Sequence, residues 1–190
     1  RRRDVVLIVD EIFTGFGRTG AWFATELSGV QPDLLCCGKA LAGGLPIGAV
    51  LGRSDLMESW RRGHEAMHTA TFVANPLSCA TALVVLEVLK RDRLPKRAAE
   101  LGQLITSRTE RWSGAFEPVI DVRGLGLAWG IELDSRGTAQ ALVEGMLTHG
   151  LLALAGGPTG KVVQICPPLV VTDLQLAFAL DSVETLLRSL

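Results

Sequence analysis

Lys39 is one of only four lysines in the chain, with Lys90, Lys96 and Lys161, against fifteen arginines. The ratio itself reads as a composition bias. Lys39 follows the apolar run Leu34-Leu35-Cys36-Cys37 and sits between Gly38 and the stretch Ala40-Leu41-Ala42-Gly43-Gly44. A desolvated lysine loses proton affinity and becomes a usable amine nucleophile, as Schiff-base chemistry requires. The competing reading is a surface lysine that keeps its ammonium in water.

Asp10 and Glu11 close the run Val5-Val6-Leu7-Ile8-Val9. Such continuous β-branched runs fit a strand buried on both faces, as in parallel α/β sheets. Two carboxylates then stand at the carboxyl end of a strand, where open α/β sheets bind ligands. A buried carboxylate is costly unless paired. It could keep the ring nitrogen of a pyridoxal phosphate protonated, so that the ring serves as an electron sink. Equally, Asp10 could cap the turn that follows.

Gly15-x-Gly17-x-x-Gly20 formally matches a dinucleotide-binding loop. However, Glu11 to Thr14 separate it from the strand, and Asp33 precedes the next strand instead of ending it. The match is weak, and a nicotinamide oxidoreductase is a distant competitor. His68-Thr69-Ala70-Thr71-Phe72, ahead of Asn75-Pro76, offers hydroxyls and amides that could hold a phosphate. It could also simply lead into a helix capped by Asn75. His64, His68 and His149 have no metal-ligand spacing with the cysteines, so no metal is assigned. No Gly-x-Ser-x-Gly elbow of the hydrolase type occurs.

Several elements must position these groups. Short strands are expected at Val5–Val9, Leu34–Cys37 and Ile47–Leu51, with a short helix from Ala21 to Leu27 stopped by Gly29. Ser54 reads as the N-cap of a helix with early acids. Residues 61 to 72 read as loop. Helices follow at about 75–90, opened by Pro76 in the first turn, and at about 95–112. Beyond them come strands near 119–123 and 127–133, and a helix near 138–149 closed by Gly150. Strands near 151–154 and 162–166 precede a last helix opened by the capping box Thr172-x-x-Gln175. The helical stretch 75–112 divides a parallel α/β part from a smaller α+β part.

The chain has 190 residues, enough to hide roughly 70% of its unfolded surface. Hydrophobic residues make up 48% and charged residues 21%, which excludes disorder as the main state. Net charge is −1, without the basic excess of a dedicated nucleic-acid binder. The cysteines Cys36, Cys37, Cys79 and Cys166 form no zinc or disulfide framework and lie in apolar contexts. A reducing, cytoplasmic setting is expected, with no secretory signal and no bilayer-spanning stretch. The opening Arg1-Arg2-Arg3-Asp4 reads as a solvated end. Its abrupt passage into a strand leads one to expect the C-terminal part of a longer protein.

Taken together, "LIVDEIFTGFGRTG", "GKALAGGLPIGAV", "HTATFVANPLSCATAL", "VRGLGLAWGIEL" and "PPLVVT", in that order, resemble the class III (ornithine/4-aminobutyrate type) pyridoxal-phosphate-dependent aminotransferases. The resemblance extends over essentially the whole chain and corresponds to the C-terminal half of that family. It implies an α/β fold: residues 1–93 as the C-terminal portion of a fold-type I cofactor-binding domain with a mostly parallel sheet, and 94–190 as a small α+β domain. It implies that Asp10 pairs with the pyridinium nitrogen, that Ile12 packs behind the ring, and that Lys39 forms the Schiff base and shuttles a proton. Thr71 would reach the cofactor phosphate of a neighbouring subunit, so a homodimer is implied. Glu11 and Arg18 would be structural.

The implied activity is amino transfer from an amine or amino-acid donor to a 2-oxo acid. Racemisation or decarboxylation on the same residues, or a non-catalytic remnant, are the alternatives. Two positions depart from the family pattern. Phe13 replaces a glutamine found in many relatives, and Gln164 replaces an arginine that grips a substrate carboxylate. A neutral amide cannot supply a guanidinium clamp, a difference of about 1.5–3 kcal/mol. Either Arg123 or a group outside this chain takes that role, or the substrate is not a standard α-amino acid. The half of the family beyond this chain supplies the phosphate cup and the aromatic stacked on the other ring face, so this chain alone is expected to hold the cofactor poorly.

Overall fold

A computed structural model describes residues 5–60 and 71–190. Arg1–Asp4, His64, His68 and most of the loop expected at 61–72 lie outside these residues. The chain divides into two compact units. One comprises the chain up to Gly17 with Ala21–Arg93, the other Arg18–Gly20 with Leu94–Leu190.

The first unit is built on a three-stranded sheet, β1 (Ile8–Asp10), β2 (Leu34–Cys37) and β3 (Ala49–Gly52), in that spatial order. β1 and β2 are parallel, with Asp10 opposite Cys36; β3 returns antiparallel to β2. The sheet is therefore mixed, with one parallel and one antiparallel pair. Asp33 locks its lower end. Its carboxylate accepts from the Leu7 amide and from the Arg53 guanidinium, both at 2.9 Å. The expectation that Val5–Val9 is buried on both faces is not met. Val5, Val6, Leu7 and Ile8 are exposed, because β1 has a neighbour on only one side and no described element covers its faces.

Helix α1 (Ala24–Ser28) is stopped by Gly29, which adopts the left-handed conformation. Helix α2 (Ser54–Ser59) starts one residue earlier than the sequence suggests. Arg53 occupies the cap position without a side-chain cap, and Ser54 is already helical. The Arg53 side chain instead pairs with Asp33 and Asp55. Helix α3 (Pro76–Arg91) is opened by Asn75, whose side-chain Oδ1 accepts from the amides of Leu77 and Ser78. Such a cap is worth about 1 kcal/mol. α3 packs against the 3-10 turn Lys39–Ala42 that follows β2.

The second unit contains helices α4 (Leu94–Thr109) and α5 (Trp112–Ala115), strands β4 (Val119–Leu125) and β5 (Ala128–Leu133), helix α6 (Arg136–Thr148), strands β6 (Leu154–Gly156) and β7 (Val162–Ile165), and helix α7 (Asp173–Leu187). The sheet order β4-β5-β7-β6 is antiparallel throughout. Alternation is clean on β5, where Trp129, Ile131 and Leu133 face the core. They meet Leu101 and Ile105 of α4, Leu142 and Met146 of α6, and Leu176, Leu180 and Val183 of α7. Burying each such side chain contributes about 1.5–3 kcal/mol. The strand expected at 151–154 forms three residues later. The Leu151 amide closes the end of α6 on the Met146 carbonyl, and pairing with β7 begins only at Leu154. Thr172 and Gln175 form the expected capping box of α7.

Arg18 belongs to this second unit. Its Nη1 donates to the carbonyls of Leu127 (3.0 Å) and Pro167 (2.6 Å). Burial lowers the proton affinity of its guanidinium, an effect partly offset by Cys166. It is a staple between distant loops, in keeping with a structural role. Gly126, at φ +56°, leaves no room for a Cβ, which would fall 2.4 Å from the Thr19 carbonyl carbon.

Candidate active site

Parallel pairing of β1 with β2 sets the site. It puts the carboxyl ends of both strands side by side, and the ladder continues through a hydrogen bond from the Glu11 amide to the Cys36 carbonyl (2.9 Å). Asp10 ends one strand, and Lys39 follows the other after Gly38. Ile12 links the two loops. A Cβ on Gly38 would lie 3.4 Å from Ile12 Cγ2, so the isoleucine side chain rests on the backbone just before Lys39.

Asp10 is exposed. Its Oδ1 accepts from the Ile12 amide (2.8 Å), and no described residue donates to Oδ2. Lys39 is also exposed, and its backbone is left-handed, with φ +43°. For a non-glycine residue this costs of order 1–3 kcal/mol and persists only where neighbours impose it. Here the 3-10 turn imposes it, closed by the Leu41 amide on the Gly38 carbonyl and ended by Gly43 in the left-handed region. Val85 of α3 packs 3.0 Å from the position of a Cβ on Gly43, holding the turn from outside. Lys39 Nζ lies 5.0 Å from the centroid of the Phe13 ring.

Glu11 behaves differently from Asp10. It is 1% exposed and accepts hydrogen bonds from the Thr14 hydroxyl and from the amides of Ala24 (3.0 Å) and Thr25 (2.8 Å). Burial pushes its carboxyl upward, but the bonds from Thr14, Thr25 and Ala24 outweigh this and hold it below its ordinary value of 4.5. The carboxylate thus ties the turn after β1 to the start of α1. A depressed folded-state value means stability that is present above pH 4.5 and lost as pH falls through the folded value. Glu11→Gln is therefore expected to cost about 1–3 kcal/mol at neutral pH. Thermal melts of both proteins down an acid series should converge below pH 4.5. A gap independent of pH would show that the ionised form is not what holds the turn.

The glycine loop is not an open phosphate cradle. The Gly15 amide donates to the Glu11 carbonyl (3.0 Å) and the Gly17 amide to the Trp22 carbonyl (3.3 Å). A Cβ on Gly15 would lie 2.7 Å from that Glu11 carbonyl, so close packing explains this glycine without a nucleotide.

Thr71 lies elsewhere, exposed in the turn 71–74 that precedes α3. No hydrogen bond joins it to Asp10, Ile12 or Lys39 among the described residues. Gln164 is exposed on β7, with its amide nitrogen over Gly156. Arg123 is already engaged: its Nη1 donates to Asp121 (2.6 Å) and Glu132 (2.7 Å), and these bonds raise its proton affinity. A guanidinium held between two carboxylates is not a free clamp for a third. The four cysteines are free thiols, and burial raises the thiol of Cys37. Among the described residues, no group of three or more potential ligands could hold a metal, and no helix is long and apolar enough to cross a membrane.

Two features escaped the sequence reading. The 3-10 turn at Lys39 is signalled only by Gly38 and the Gly43-Gly44 pair around a short Ala/Leu stretch. The Phe13 contact with Lys39 carries no sequence signal, since it spans two loops.

Comparison with known proteins agrees along the whole chain. The family model "Aminotransferase class-III" matches residues 1–187. The acetylornithine aminotransferase of Methanothermobacter thermautotrophicus is 41% identical over 181 residues, covering 95% of this chain and 45% of that protein. The 4-aminobutyrate aminotransferase of Mycobacterium leprae is 39% identical over 194 residues, covering 98% and 43%. An ornithine aminotransferase structure from Toxoplasma gondii, with PLP partially occupying its active site, superposes with a TM-score of 0.90 at 37% identity, covering 100% of this chain and 44% of that one. The chain thus spans under half the length of these relatives. With its motifs in the matched order and the family model matched from residue 1 to 187, the chain belongs to the class III aminotransferases.

Proposed function

We propose that this chain carries the lysine-bearing part of a pyridoxal-phosphate-dependent aminotransferase, which moves an amino group from an amine or amino-acid donor to a 2-oxo acid. One observation carries the reading: Asp10 ends β1 and Lys39 closely follows β2, its parallel partner, so both stand at the carboxyl ends of paired strands, with Ile12 against the Gly38 backbone. The donor set fits the cofactor chemically, with a carboxylate that keeps one oxygen open, an aliphatic side chain and a primary amine. When bound, the cofactor supplies an electron sink for charge that develops on the substrate carbon. Asp10 would accept a hydrogen bond from the protonated ring nitrogen, and Ile12 would lie behind the ring. Lys39 Nζ would be the covalent anchor and, when released, would carry a proton to and from the substrate carbon. Thr71 would donate to the phosphate across a homodimer interface. Residues 1–93 then belong to the large cofactor-binding domain and 94–190 to the small C-terminal domain. Free thiols support a cytoplasmic setting.

The test is amino transfer from a panel of amines and amino acids to 2-oxo acids. It is run on this chain and on the chain fused behind the preceding portion of the Methanothermobacter relative. Amino transfer in the fusion supports the reading. Racemisation or decarboxylation without transfer would replace it, and no reaction together with no cofactor retention would mark a non-catalytic chain.

A further inference from the structure

We propose that Phe13 is a positioning residue for Lys39, holding its ammonium over the ring face until the cofactor is engaged. The inference rests on the reading of Lys39 as the anchoring amine. The ammonium nitrogen lies 5.0 Å from the ring centroid, within the roughly 6 Å over which a ring quadrupole attracts a cation. Among the described residues, no hydrogen bond or ion pair engages Nζ, and the ring face is its partner. Both partners are held by their backbones. Phe13 sits between two tight turns, the Ile12 amide on Asp10 and the Gly15 amide on Glu11. Lys39 is fixed in the left-handed region by its 3-10 turn, which sets the direction of the side chain.

The ring attracts the ammonium and has no comparable hold on the neutral amine. Any reaction that needs the neutral amine is therefore slowed while the contact lasts, by about two- to five-fold for an exposed pair. Phe13 thus holds the amine over its ring and tempers its reactivity toward stray electrophiles.

Competitive labelling with trace acetic anhydride, without added cofactor, tests this. Mass spectrometry gives the rate at Lys39 relative to Lys90, which is exposed and has no recorded partner. Phe13→Leu and Phe13→Met are expected to raise the Lys39-to-Lys90 ratio about two- to five-fold. Phe13→Tyr, which keeps the aromatic face, is expected to leave the ratio at its wild-type value. An unchanged ratio in both aliphatic variants, or a tyrosine variant that behaves like them, overturns the proposal. Because Phe13 is 43% exposed, these changes leave the core untouched. The assay contains no pyridoxal phosphate, so its failure would leave the cofactor reading standing, whereas failure of cofactor trapping at Lys39 would not touch the ring contact.

Discussion

Replacing Lys39 with alanine is expected to abolish covalent capture of pyridoxal phosphate at this site. In the unaltered protein, borohydride reduction in the presence of the cofactor is expected to place the label on the peptide carrying Lys39. In Lys39→Ala it disappears from that peptide and is not transferred to Lys90, Lys96 or Lys161. Those three lie on α3, on α4 and next to β7. Turnover falls by more than the roughly 10²- to 10⁴-fold that a positioned proton-transfer group contributes, since the covalent anchor is lost as well. Lys39→Arg should fall nearly as far, because a guanidinium keeps the charge but is not a nucleophile. Label scattered over all four lysines in the wild type would mean that no organised site gathers around Lys39. Run on the chain alone and on the fused form, the same experiment also measures how much of the cofactor's grip comes from these residues.

Asp10→Asn is the second large effect. The side chain keeps its shape and its bond from the Ile12 amide, but the negative charge that would hold a ring nitrogen protonated is gone. Preorganised electrostatic partners of developing charge are worth about 10²- to 10³-fold in rate each, and a loss of that size is expected in the donor half-reaction. Cofactor retention should fall as well, by the equivalent of about 1.5–3 kcal/mol for a bond to a charged group. Stopped-flow measurement of the half-reaction and equilibrium dialysis read the two effects separately. Asp10→Glu, which keeps the charge at a displaced position, should recover part of the rate. An asparagine variant with wild-type rates would remove Asp10 from the chemistry and leave it as the cap of its own turn.

The substrate side is narrowed by what surrounds Arg123. Its guanidinium is shared between Asp121 and Glu132, so it does not stand ready to replace the clamp that Gln164 cannot provide. On the proposed reading, a substrate carboxylate would be met by a group outside this chain, or the preferred donor would lack a standard α-carboxylate. Amines without that group belong in the donor panel for this reason.

The order of elements was legible in the sequence because it depends on local chemistry. Asn75 with Pro76, Gly29 and the Thr172/Gln175 pair mark helix ends through hydrogen bonds made within a few residues. Asp10 and Lys39 could be picked out for the same reason, each standing directly after an apolar run. Where local signals compete, the chain chose otherwise. Ser54 is a good cap by type, yet Arg53 took the cap position because Asp33 and Asp55 hold its side chain. Leu151 to Leu154 look like a strand, yet pairing partners exist only from Leu154 onward.

By itself the sequence determined the residue types available for chemistry, their order and the family pattern they share. Tertiary structure decided which of them meet. Parallel pairing across 25 intervening residues brings Asp10 beside the loop of Lys39, and the turn that follows forces the lysine backbone into the left-handed region. The adjacent Asp10 and Glu11 diverge because alternate positions after a strand face opposite ways: one carboxylate is left open, and the other is buried under three donors. Long-range register and burial of this kind arise from packing among distant segments, and no local pattern of residues encodes them.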